Sequence, residues 1–61
     1  MNIEKETKEK IQKWVKVRKE RKLTQEDMSK ITGVSRPNIA NFERLRVNNM
    51  YLFNFYLNMF D

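Results

Sequence analysis

The chain contains no cysteine and no histidine, which together exclude a disulfide framework, the usual zinc-ligand sets and the commonest general base. It has one glycine and one proline, Gly33 and Pro37. That is too little turn chemistry to punctuate hairpins, so the expected fold class is all-α. No apolar run approaches the roughly 20 residues of a membrane span, and charges alternate at the N-terminus where a signal peptide has an apolar segment. A cytoplasmic location and no membrane partner are therefore expected. Paired carboxylates, a nucleophile with its base and a phosphate-cradling glycine loop are also missing, so neither an enzyme nor a cofactor is expected.

What the chain has is positive charge. Its 61 residues carry a formal net charge of +5 and a pI near 9.8, a balance that favours polyanionic partners without naming one. At this length residues 1–61 should form one domain, close to the smallest that builds a core without disulfides or metal. Residues 1–22 hold nine Lys/Arg against four Glu, whereas residues 47–61 hold only Asp61. The Lys-rich start reads as a solvated helix face braced by the i,i+4 pairs Glu4/Lys8, Glu6/Lys10 and Glu9/Lys13. Phosphate contacts are better sought at the end of that helix, among Arg18, Lys19, Arg21 and Lys22.

The first helix is expected over residues 4–21, with Ile11, Trp14, Val15 and Val17 on its apolar side and Ile3 and Thr7 extending it or fraying. Thr24 is a good N-cap for a second helix over residues 24–32, because Gln25, Glu26 and Asp27 suit the positive end of its dipole. Met28 and Ile31 would face inward, and Gly33 can take the positive φ that ends a helix without steric cost. Ser35 is a second N-cap and Pro37 falls in a first turn, which predicts a third helix over residues 35–44 burying Ile39, Phe42 and Leu45. Its other face carries Arg36, Asn38, Asn41 and Arg44, side chains able to hydrogen-bond base edges and phosphates. The segment from residue 24 to residue 44 is therefore a helix-turn-helix.

A fourth helix should start at an Asn48 or Asn49 cap and run to Phe60. It is apolar nearly all round, which requires burial on more than one side. Leu52, Phe53, Tyr56 and Phe60 would complete the core. The leftover face, Tyr51, Phe55 and Met59, then reads as an association surface, and a homodimer is its economical use.

Residues Ile11 to Arg46 resemble the lambda-repressor-like helix-turn-helix family, also called the XRE family, which includes phage repressors and Cro proteins. The resemblance is carried by Val17-Arg18, Lys22-Leu23-Thr24-Gln25-Glu26-Asp27-Met28, Gly33-Val34-Ser35, Ile39 and Phe42-Glu43-Arg44 in that order. It implies that Gln25 bonds a phosphate and braces a recognition-helix side chain, and that Arg36 and Asn41 read bases. It also implies that Ser35 and Asn38 contact phosphate or base, that Arg44 and Arg46 bind backbone phosphate, and that Arg18 and Glu43 form an internal ion pair, with Arg18 also near phosphate.

Three positions depart from the family pattern. Ser29 stands where alanine is usual, but it is small enough for close helix approach. Pro37 lacks reach at one contact position. Leu45 replaces a frequent glycine, which opposes a positive φ there and favours a longer third helix. The implied function is a sequence-specific, double-stranded DNA-binding transcriptional regulator, a Cro-like or small mobile-element repressor in a bacterial or phage-infected host cell. It would insert residues 35–44 into the major groove of an operator. The alternative is a protein–protein interaction module, of antirepressor type, that captures a protein partner through the aromatic helix at residues 49–60.

Overall fold

The computed structural model describes residues 4–61 and contains four helices: α1 (Lys5–Glu20), α2 (Gln25–Thr32), α3 (Arg36–Glu43) and α4 (Met50–Phe60). No strand occurs among the described residues, and Ile3 lies outside them. Helix α1 is built largely from strong helix formers, Lys, Glu, Gln and Arg. It buries Ile11, Trp14 and Arg18, at i, i+3 and i+7, while Val15 and Val17 pack at the edge of the core. Among the described residues, none of the three anticipated Glu/Lys pairs along α1 closes. Lys13 Nζ instead meets Asp61 Oδ1 at 3.1 Å.

Helix α2 starts in a reciprocal capping box. The Asp27 amide donates to Thr24 Oγ1 at 3.0 Å, and the Thr24 amide donates to Asp27 Oδ2 at 2.8 Å. Two of the four orphan N–H groups of the first turn are thereby satisfied. Met28 is fully buried, but Ile31 is 45% exposed, contrary to its expected inward position. The inner stripe runs through Gln25, Met28, Ser29 and Thr32, and Ile31 falls about 100° from its centre at the helical period. Thr32 takes the buried place because its hydroxyl donates to the Met28 carbonyl at 2.7 Å and accepts from the Val34 amide. A half-buried Ser29 lets α2 pack closely on α3.

Gly33 ends α2 with φ 77°. Helices α1 and α3 end with the same left-handed step but without glycine, at Lys22 (φ 60°) and Leu45 (φ 65°). In each, the residue after the left-handed one donates five residues back, Leu23 to the Arg18 carbonyl at 3.0 Å and Arg46 to the Asn41 carbonyl at 2.9 Å. These are Schellman motifs. Leu45 therefore does not prolong α3, which stops at Glu43. The two hydrogen bonds and the packing of the half-buried Leu45 side chain against the core outweigh its backbone strain.

Asn49 caps α4 by accepting from the Leu52 amide at 3.1 Å. Leu52, Tyr56 and Phe60, four residues apart, close the core over Ile11, Trp14, Met28, Ile39 and Phe42. Edge-to-face rings lock this closure, Trp14 on Phe53 and Phe42 on Tyr56, each with centroids 5.0 Å apart. At the far end, Asp61 Oδ1 accepts from Trp14 Nε1 at 3.2 Å, and Arg21 Nη1 donates to the Met59 carbonyl at 3.0 Å.

Candidate nucleic-acid interface

The turn at Gly33 sets α3 on the surface with Ile39 and Phe42 pointing into the core. Helical spacing then forces Arg36, Asn38 and Arg44 outward, all exposed, with Asn41 half-buried beside them. Ser35 occupies the N-cap position of α3, but its side chain makes no cap hydrogen bond, so its hydroxyl is left available. Pro37 sits in the first turn, where its missing N–H costs nothing. Arg46 is exposed in the loop after α3.

One concavity of about 600 Å³ lies where the end of α1, the start of α2 and the start of α3 meet, lined by Lys19, Lys22, Thr24, Gln25 and Arg36 among others. The fold thus brings Gln25 and Arg36 together with two lysines. Asn38, Asn41, Arg44 and Arg46 lie outside that concavity, along α3 and the loop that follows it.

Of the four basic residues that close the N-terminal charge run, Arg18 and Arg21 are committed to partners within the fold. Arg18 is 5% exposed, and its guanidinium forks onto Glu43, Nε to Oε2 at 2.8 Å and Nη2 to Oε1 at 2.9 Å, while Nη1 donates to the Leu23 carbonyl at 2.6 Å. Arg18 therefore lines the concavity from inside the fold, with its guanidinium committed to Glu43 and Leu23. Arg21 is tethered to α4 through the Met59 carbonyl, with its guanidinium 5.4 Å from the Phe60 ring centroid. Lys19 and Lys22 remain for the concavity.

Glu43 gathers more than Arg18. Its Oε1 also accepts from Gln25 Nε2 at 3.2 Å, and its Oε2 accepts from the Tyr56 hydroxyl at 2.6 Å. Burial, and then the hydrogen bond to Glu43, push the Tyr56 phenol well above its ordinary range, so it stays a donor across physiological pH. The Tyr56 contact has no periodic signature, because a tyrosine in an aromatic helix reads simply as core. Among the described residues no three acidic side chains converge to hold a metal ion, and no helix is long and apolar enough to cross a membrane.

A family model described as helix-turn-helix matches residues 16–48, more than half of the chain, running from the second half of α1 to the start of the loop's Asn pair. The chain belongs to the XRE, or lambda-repressor-like, helix-turn-helix family. XRE-type domains are DNA-binding transcription-regulator domains, typically non-enzymatic, and DNA is the partner that this membership supports. No curated protein and no solved structure matches the chain.

Within this XRE-type domain α4 falls beyond the matched residues. Its outer face is Tyr51, Phe55 and Met59, which with Asn54 and Asn58 line a second concavity of about 340 Å³. Tyr51 is 55% exposed, yet its hydroxyl donates to the Thr32 carbonyl at 2.7 Å and its ring meets Phe55 edge to face. Met50, Val47 and Ile31 add exposed apolar surface that the sequence pattern did not single out.

Proposed function

We propose that the protein is a sequence-specific, double-stranded DNA-binding transcriptional regulator, comparable to a Cro protein or a small mobile-element repressor, that lays α3 in the major groove of an operator. It acts as one helix-turn-helix domain in the cytoplasm of a bacterial or phage-infected cell. The observation that carries this reading is the outward row Arg36, Asn38, Asn41 and Arg44, set beside Gln25, Lys19 and Lys22. Arg36 at the start of α3 suits guanine O6 and N7, and Asn41 is a second base reader. Gln25, Ser35 and Asn38 contact phosphate or base. Arg44 and Arg46 neutralise backbone phosphates and fix register. Repression then follows by occlusion of polymerase.

One observation supports binding as a homodimer, the arrangement that would span two half-sites one helical turn apart. The face Tyr51, Phe55 and Met59 is uncharged and partly exposed, a surface on which two copies can meet without placing like charges in direct contact. The same face favours a second reading, in which α4 captures a different protein.

Selection of bound duplexes from a random pool at moderate salt, with sequencing, tests the proposal. An enriched site, palindromic with half-sites about 10 base pairs apart, is expected. A folded protein that enriches nothing overturns it and leaves α4 as the working surface.

A further inference from the structure

Glu43 is the last residue of α3, and its carboxylate, 4% exposed, receives donors from each of the other three helices. Arg18 comes from α1, Gln25 from α2 and Tyr56 from α4. Four donors saturate the four lone-pair sites of a carboxylate. Three of these contacts are short, 2.6 to 2.9 Å, and the fourth, from Gln25, is the longest at 3.2 Å. Gln25 is also the member that reaches the basic concavity next to Arg36.

We infer that Tyr56 is a positioning residue for DNA binding: its hydroxyl, reaching Glu43 from the core, fixes the carboxylate that orients the Gln25 amide toward the DNA-facing concavity. The inference rests on the DNA-binding reading for its functional consequence, although its structural half does not. With Nε2 committed to Glu43, the Gln25 amide has one orientation, leaving its second N–H and Oε1 for the concavity. Without the Tyr56 hydroxyl, Oε2 of a buried carboxylate lacks one donor. The group then rotates to recover a partner, and the weakest contact, Gln25, is the one released. The tyrosine ring is held separately, edge to face against Phe42 and Phe60, so the hydroxyl can be removed while the core stays filled.

Tyr56→Phe, Gln25→Ala and the double variant, each titrated against a selected duplex, test this. An osmolyte such as trimethylamine N-oxide keeps the variants folded, and the side-chain amide protons of Gln25 are followed by NMR without DNA. Tyr56→Phe should weaken binding about three- to tenfold, and it should add little to Gln25→Ala, a non-additivity expected of linked residues. In the free protein the Gln25 amide resonances should move and exchange faster with solvent. Unchanged Gln25 resonances in a folded Tyr56→Phe protein overturn the inference, as do fully additive losses. If wild-type protein binds no duplex, the DNA-binding reading fails by itself, and the NMR arm still decides whether Tyr56 orients Gln25.

Discussion

A buried carboxylate is costly unless it is paired and fully hydrogen-bonded, and Glu43 meets both conditions only because Arg18, Gln25 and Tyr56 converge on it. Arg18→Met should therefore cost about 3–5 kcal/mol by leaving that charge uncompensated. This is a large share of a small domain's stability, and the urea midpoint of unfolding measures it. Arg36 behaves oppositely, being exposed and free of the core. Arg36→Ala should leave the unfolding midpoint in place while costing about 1–3 kcal/mol at the preferred site and relaxing choice at one base position. Competition titrations against single-base variants of that site check it. An equal loss on every sequence would make Arg36 a phosphate contact instead. Asn41 and Arg44 were legible in the sequence because helical spacing places them opposite Ile39 and Phe42, whereas Arg36 and Asn38 flank the buried face and are exposed in the first turn of α3. Arg18 and Glu43 were linked only through a family resemblance, since nothing in their spacing of 25 residues announces a contact. Ile31 was misread because a three-residue step does not say which side of Met28 the buried stripe lies on.

Helix boundaries depend on how each end satisfies its backbone, and here the starts were easier to read than the stops. Thr24, Ser35 and Asn49 occupy the N-cap positions their residue types favour. Gly33 is an equally open signal. Lys22 and Leu45 are not, because non-glycine residues enter the left-handed region at a cost of roughly 1–2 kcal/mol, sustained here by the Schellman hydrogen bonds. Lys22 is exposed, so Lys22→Gly should stabilise the fold by about 1 kcal/mol. Leu45→Gly relieves the same strain but removes a half-buried side chain from the core edge, so its net effect should be neutral or destabilising. Urea denaturation of both variants compares them directly. A more stable Leu45→Gly than Lys22→Gly would mean that the Leu45 side chain contributes nothing.

For the whole molecule, the absence of histidine removes the usual titration near neutral pH. The Trp14 and Lys13 hydrogen bonds hold the Asp61 carboxyl below its ordinary range, and the Thr24 backbone amide does the same for Asp27. A carboxyl depressed in the folded state adds stability above its unfolded value, lost as pH falls through the folded one, so the thermal midpoint should drop only below about pH 4. Tyr56 is raised in the folded state. Its contribution holds below the unfolded phenol value and erodes above about pH 10. Between those limits the midpoint should be flat, and a step near pH 6–7 would contradict this. Association belongs to the same scale. Phe55→Glu, on a half-buried outer position, should give a folded monomer with weaker duplex binding in sedimentation and titration experiments. An unfolded chain would assign Phe55 to the core, and an unchanged dimer would move the contact elsewhere.

The central claim, that α3 and the basic concavity beside it form the DNA-binding face, is tested most directly by mapping backbone and side-chain NMR shifts during titration with a duplex. The largest changes should fall on Lys19, Lys22, Gln25, Arg36, Asn38, Asn41 and Arg44, and weaken steeply with added salt as phosphate contacts are screened. Changes confined to Tyr51, Phe55 and Met59, or none at low salt, would contradict it.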